Sequence, residues 1–358
     1  MLTRLYVDNY KCLVKFDLRL GKQHLLMGKN GAGKTTVFEV LAALRRIAHG
    51  EEIADVLSYS TLTRWGGIVQ RFELEAVIKG KTYVYDLQVE LPGRVLAERL
   101  LVDGVADFSR NQDEVRLGHG SGGAINIDSG RAALAKPTSG YTGTGRLVFT
   151  DWLFGMNIIR IDPRRMKGES EKEEFWLESD LSNFASWFRH IAQEHLGSIT
   201  ELNLALHEVL DGFDSINLRT EGGKGVRVIE SRWRLNEGGA IVSYSFDELS
   251  EGQRALIGLY SLLYFAPTSG TTLCLDEPDN FVALREIQPF LLALRERENI
   301  QSLIISHHPE VINLLAPESG LMFERVAGGP ARVEPFRAPP DAALPPAELI
   351  ARGWEDGK

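Results

Sequence analysis

One run, Gly28-Lys-Asn-Gly-Ala-Gly-Lys-Thr35, constrains what this chain can fold into more than any other. It fits the pattern GxxxxGK[ST] at every fixed position. The segment before it, Gln23-His-Leu-Leu-Met27, reads as a short buried strand. After it, Thr36 to Ile47 has helical spacing, with Phe38, Leu41, Leu44 and Ile47 on or near one face. Strand, glycine loop and helix in that order predict an α/β core. Gly28, Gly31 and Gly33 free the backbone, so that N–H groups from Lys29, Asn30 and Ala32 through Thr36 can wrap a phosphate. The helix N-terminus adds partial positive charge at the same place. Lys34 is placed to reach the β- and γ-phosphates of a nucleotide, and the Thr35 hydroxyl to ligate Mg²⁺.

The 358 residues suffice for two domains or one large two-lobed one. With 44% hydrophobic and 25% charged residues, a globular fold is expected. No apolar run approaches the ~20 residues of a membrane span, and the strand-like start, Met1 to Tyr10, lacks the layout of a signal peptide. Cys12 and Cys274 form no CxxC motif, so a reducing cytoplasm is expected, with neither a zinc site nor a disulfide framework. A net charge of −9 argues against coating nucleic acid through bulk charge. Lys11, Lys15, Arg19 and Lys22, or Arg160, Arg164, Arg165 and Lys167, could still build a local basic patch; solvated surface charge is the simpler reading.

Along the chain, residues 1–48 read as strand, turn, strand, loop and helix. Val69–Ile78 and Thr82–Leu91 alternate apolar and polar around a Lys79-Gly-Lys turn, and a third strand runs from about Val95 to Leu101. Residues 117–146, rich in Gly, Ser and Thr, read as a long loop or weak hairpin. Residues 164–174 are charged and expected to be exposed. Two helices are predicted over 180–210, with Phe184, Trp187, Phe188 and Ile191 as core. Two strands follow, near 225–235 and 240–246, and from Asp247 the pattern alternates helix and buried strand.

Three further segments carry chemistry. Thr271-Thr-Leu-Cys-Leu-Asp-Glu-Pro278 reads as a buried strand ending in two carboxylates. Asp276 can hold Mg²⁺ through its water shell, and Glu277 can orient or deprotonate an attacking water. Acidic pairs at strand ends also serve as helix caps. In Phe246-Asp-Glu-Leu-Ser-Glu-Gly-Gln-Arg254, Ser250 reads as an N-cap; alone this is only a capped helix. Gln301-Ser-Leu-Ile-Ile-Ser-His-His-Pro309 reads as a buried strand delivering His307 and His308 to its tip; alone this is a surface histidine pair.

Together and in this order, the segments resemble the ABC-type ATPases of the RecF/SMC/OLD-like branch. Leu-Ser-Glu-Gly-Gln resembles the ABC signature, with Glu251 replacing its first glycine, and Asp-Asn-Tyr-Lys-Cys (8–12) is similar to the opening of RecF/SMC-like proteins. The stretch from Lys34 to Ser250 is longer than in a transporter nucleotide domain and far too short for an SMC coiled coil. The specific likeness covers residues 1–48 and 245–315. It implies a two-lobed ABC/SMC-like P-loop ATPase head: a mixed sheet core, an antiparallel β lobe and a helical lobe. Residues 1–175 and 266–330 would form the nucleotide-binding lobe, 176–265 the helical signature lobe and 331–358 a tail. The resemblance makes His307 a sensor of the γ-phosphate. It implies a head-to-tail homodimer, or a higher oligomer, in which Ser250, Gly252 and Gln253 bind ATP held by the other chain. Asp279 to Leu284 occupies the D-loop position. The Q-loop glutamine is not placed: Gln70 is a candidate, though a strand glutamine facing solvent is the expectation. The 338–346 tail, rich in proline, is expected to leave no room for the nuclease domain of OLD-type proteins.

The function expected from this reading is Mg²⁺-dependent ATP hydrolysis by a dimerising switch that regulates or scaffolds a separate effector, a nuclease or toxin, in bacterial phage defence. The alternatives are a RecF-like DNA-binding repair ATPase and an ATP-locked scaffold with little turnover; Glu277 argues against the latter.

Overall fold

The computed structural model describes residues 1–118, 124–135, 144–222, 225–235, 239–267, 270–339 and 344–353. The chain divides into two compact units, residues 1–158 with 312–358, and residues 159–311.

The first unit begins with β1 (Leu2–Asp8), β2 (Phe16–Arg19), β3 (Gln23–Met27), α1 (Lys34–Ala48) and the short α2 (Ile53–Val56). Then come β4 (Val69–Ile78), β5 (Lys81–Glu90), β6 (Arg94–Val102), β7 (Val105–Asn111), β8 (Glu114–Leu117), β9 (Ala124–Asn126) and α3 (Gly145–Phe154). Seven of these strands join β1 in an antiparallel sheet, ordered β2-β1-β4-β5-β6-β7-β8-β9, which leaves out β3. Alternation sets its register. Phe72, Leu74 and Ala76 of β4 are buried opposite Leu87, Tyr85 and Tyr83 of β5, while the residues between them face outward or are half-buried.

The 117–146 stretch is more ordered than a loop where it is described. Residues 124–126 form β9, and residues 133–135 a single 3₁₀ turn. The turn is pinned by Glu98, a fully buried carboxylate on β6 that accepts hydrogen bonds from the Ala133 and Leu134 N–H groups (2.6 and 2.9 Å) and from the Tyr85 hydroxyl (3.0 Å). Burial raises the Glu98 pKa, and these bonds with the charge of Arg110, 3.7 Å away, oppose the rise. The remainder of that stretch, 119–123 and 136–143, lies outside the described residues.

A short strand, β10 (Asn157–Ile159), leads into the second unit. It contains β11 (Glu169–Ser170), α4 (Phe184–Glu194), α5 (Leu196–Val209), β12 (Phe213–Glu221), β13 (Val226–Arg234), β14 (Ile241–Ser245), α6 (Glu251–Tyr264), β15 (Thr271–Asp276), α7 (Leu284–Glu296) and β16 (Ile300–Ile305). β13 pairs antiparallel with β12 along one edge and with β11 and β14 along the other. The predicted aromatic core of α4 is present: Phe184 stacks on Phe246 (5.4 Å between centroids), and Phe188 meets Phe265 edge-on (5.9 Å). β15 and β16 pair in parallel, and every residue of both is buried, including the polar Thr272 and Gln301, whose side chains meet in a 2.9 Å hydrogen bond. The charged 164–174 stretch is not uniformly exposed, because Met166, Gly168 and Ser170 turn inward. The chain returns to the first unit through α8 (Pro309–Ser319), β17 (Gly320–Glu324), β18 (Arg332–Pro335) and α9 (Pro346–Ala351). There β17 pairs in parallel with β3 and antiparallel with β18.

Candidate active site

The glycine run sits in the first unit, where β3 ends. Leu25, Leu26 and Met27 are buried, so the strand is anchored up to the residue where the loop begins. Gly28 has φ +135°, and a Cβ there would lie 2.2 Å from the Phe323 carbonyl oxygen, so only glycine fits. Gly33, at φ +108°, is the N-cap of α1; a Cβ would come within 2.9 Å of Cys12 Sγ. No side chain caps this helix. An uncapped N-terminus behind a glycine loop suits an anion. Lys34 is buried and folds back along the loop, its ammonium donating to the carbonyl oxygens of Gly28 (2.7 Å) and Lys29 (3.1 Å). Lys29, Asn30, Gly31 and Thr35 are exposed.

Arg325, just past β17, was not foreseen in sequence. It donates to the carbonyl oxygens of Gly31 (3.0 Å), Gly328 (2.6 Å) and Gly329 (2.8 Å), tying the loop apex to the turn after β17. A cavity of about 480 Å³ lies here, lined by Gly28 to Ala32 and by Met322 to Val326 with Gly328. Gln70, in the same unit, does not face solvent as expected. It is fully buried on β4, and its Nε2 donates to the carbonyl oxygens of Asn9 (2.9 Å) and Thr61 (3.1 Å). Strand alternation put it on the inner face, where its amide satisfies backbone groups of a neighbouring turn.

In the second unit, the two carboxylates stand where β15 ends. Asp276 is buried, in register with Ile305 of β16. The Glu277 N–H donates to the Ile305 carbonyl oxygen (2.8 Å), carrying the pairing one residue further. Glu277 has φ +52°, the left-handed region, unusual for a residue with a side chain. Its Oε2 accepts a 2.8 Å hydrogen bond from Asn280 Nδ2, and its Oε1 lies 4.0 Å from His307 Nε2. His308 is engaged differently. Its N–H donates to Ser306 Oγ (3.0 Å), and its Nδ1 accepts from the Glu310 N–H (3.2 Å) at the start of α8. The fold therefore brings His307, and not His308, to Glu277.

The predicted signature segment lies in the same unit. Ser250 is the N-cap of α6: its Oγ accepts from the Gln253 N–H (3.2 Å), and Gln253 Oε1 accepts from the Ser250 N–H (2.9 Å). This reciprocal box satisfies two backbone donors. Glu251 accepts from Arg164 Nε (3.1 Å), and the Arg164 guanidinium lies over the Phe281 ring. A Cβ on Gly252 would come within 2.9 Å of the Phe281 carbonyl oxygen, so the signature segment and the turn after Glu277 approach closely.

Known proteins resemble this chain in sequence or in fold. A family described as "AAA domain, putative AbiEii toxin, Type IV TA system" matches over residues 158–313, and one described as "ABC transporter" over residues 13–116. A curated relative, the "Putative ribose/galactose/methyl galactoside import ATP-binding protein" of Albidiferax ferrireducens, is 52% identical over 42 residues, which are 12% of this chain and 8% of that protein. Among solved structures, the SMC head domain from Thermotoga maritima superposes with a TM-score of 0.50 at 14% identity, covering 94% of this chain and 99% of that one. The SmcHead bound to the C-winged helix domain of ScpA gives 0.55 at 13% identity, covering 93% and 96%. The likeness to these solved structures is one of fold: the chain has the mixed α/β fold of an SMC head domain, and each of the two family models matches part of it. Among the described residues, no helix is long and apolar enough to cross a membrane.

Proposed function

We propose that this head binds ATP and hydrolyses it in a Mg²⁺-dependent reaction, and that ATP drives two copies together head to tail, a switch acting on a separate effector. The observation that carries the hydrolysis reading is the approach of Glu277 and His307. They come from the tips of two neighbouring parallel strands, and they present a carboxylate and an imidazole 4.0 Å apart, both partly exposed. A carboxylate so placed can take the proton of an attacking water, and the imidazole can donate to the γ-phosphate. Lys34 exchanges its carbonyl partners for the β- and γ-phosphates, while the N–H groups of 29–36 hold the remaining oxygens.

The donors available suit Mg²⁺: an exposed hydroxyl, Thr35, at the start of α1 and a buried carboxylate, Asp276, at the end of β15, both hard oxygen ligands. Once bound, the ion supplies charge neutralisation on the phosphates. Ser250, Gly252 and Gln253 then meet the γ-phosphate of the second copy's nucleotide, so that affinity for ATP becomes affinity between heads. In this reading the chain works as one head: residues 1–175 and 266–330 serve the nucleotide, 176–265 present the signature and 331–358 are a tail. The toxin–antitoxin wording of the family matching 158–313 supports an effector of the toxin kind; a nuclease in its place and a role in bacterial phage defence belong to the same reading.

The test is the mass of the Glu277→Gln variant by light scattering, with and without ATP and Mg²⁺. ATP is expected to double the mass, and Ser250→Arg to prevent the doubling. A mass that stays constant while ATP demonstrably binds would remove the switch. Wild-type protein that dimerises without releasing phosphate would favour the ATP-locked scaffold instead.

A further inference from the structure

We propose that Asn280 is the positioning residue of the general base, fixing which oxygen of Glu277 is presented for proton transfer. This rests on the hydrolysis reading above. The chain after β15 turns back on itself: the Asn280 N–H donates to the Glu277 carbonyl oxygen (3.2 Å), and the Asn280 side chain returns across the turn to Glu277 Oε2 (2.8 Å). Only the amide nitrogen can pair with a carboxylate, so chemistry sets the orientation of this amide. With Oε2 held, Oε1 is the oxygen turned toward His307.

Glu277 needs such a partner. It is partly exposed and sits in a left-handed backbone conformation, where nothing in a regular strand or helix aims its side chain. The next residue, Phe281, carries the same turn on to the signature: its carbonyl oxygen abuts Gly252, and its ring lies under Arg164, the partner of Glu251. Asn280 thus stands between the base and the segment that would meet a second copy's nucleotide. A movement of the signature can reach the base through it. Asn280 itself is exposed, so its replacement leaves the core intact.

The experiment measures single-turnover hydrolysis and nucleotide affinity for the full chain and for Asn280→Ala, Asn280→Asp, Glu277→Gln and the double variant Asn280→Ala/Glu277→Gln. Asn280→Ala is expected to slow hydrolysis about ten-fold or more, as befits loss of a hydrogen bond to a charged group. ATP affinity and melting temperature should be unchanged. Asn280→Asp, with the same shape but an acceptor facing a carboxylate, is expected to be at least as slow. The double variant should be no slower than Glu277→Gln alone, because Asn280 acts only through that side chain. If both Asn280 variants hydrolyse at the wild-type rate while Glu277→Gln does not, the positioning role falls and the ATPase reading stands. If wild type is no faster than Glu277→Gln, the ATPase reading falls and takes this proposal with it.

Discussion

The phosphate loop and the acidic turn both need backbone with positive φ, and they meet the need in opposite ways. The loop uses glycine at each such position: Gly28, Gly31 and Gly33, at +135°, +77° and +108°. The turn after β15 uses Glu277 at +52°, at a cost of about 1–2 kcal/mol for an L-residue with a side chain. In the proposed reaction the difference follows from which atoms would carry the chemistry. The loop would work through main-chain N–H donors, so a side chain there would only obstruct. The turn would work through a carboxylate, which glycine lacks, and that gives a reason for the strain to be tolerated.

Substitutions can break or sharpen this contrast. The largest effect is expected from Glu277→Gln, which should lower single-turnover hydrolysis by about 10²–10⁴-fold with ATP binding retained. An unchanged rate would mean that the strained residue is not the base. Next is Gly28→Ala, where the added Cβ meets the Phe323 carbonyl oxygen at 2.2 Å. A loss of roughly 3 kcal/mol in urea unfolding is expected, and a value near zero would show that the loop can shift to accept a side chain.

The third prediction concerns the corner that supports the loop. Tyr10 bridges to Leu13, which packs beneath Gly33. Burial pushes its phenol up to about 12. A raised pKa means that the neutral form is favoured in the fold. Its contribution is complete below pH 10 and is lost as pH rises toward 12. The wild type should lose roughly 2 kcal/mol more than Tyr10→Phe over that interval, read from denaturation at several pH values. Parallel curves would mean that Tyr10 is more exposed than described. Smaller still is Ser250→Ala, expected to destabilise by about 1 kcal/mol through loss of the α6 cap. The smallest is Glu277→Gly, which should raise the melting temperature, gaining about 1 kcal/mol, while removing hydrolysis. If the glycine variant is less stable, the turn is not strained and the contrast fails.

Several elements escaped a reading from sequence, each for a physical reason. β2 is four residues long, too short for its alternation to stand out from a turn. The β7–β8 hairpin is polar and partly exposed, so its pattern is faint. β12 buries only Phe213 and Ile216 and continues as a polar edge, which hid it beside β13. Gln70 was expected outside because it is polar, whereas β4 places it on the same inner face as Phe72 and Leu74. Its partners are the main-chain carbonyls of Asn9 and Thr61 together with the Thr61 hydroxyl, brought to it from a distant turn that β4 alone does not announce.

What the sequence determined by itself is local. The glycine run with its helix, the Ser250–Gln253 capping box and the largely apolar centres of β15 and β16 depend on residues within a few positions of one another, so residue type and spacing state them directly. The meeting of Glu277, Asn280 and His307 was decided by tertiary structure. It requires β15 and β16 to lie parallel with Asp276 opposite Ile305, so that residues about 30 positions apart arrive at adjacent strand tips. The same holds for Arg325 on Gly31 and for Phe281 against Gly252. Such contacts follow from register and packing between distant segments, and no single segment specifies those.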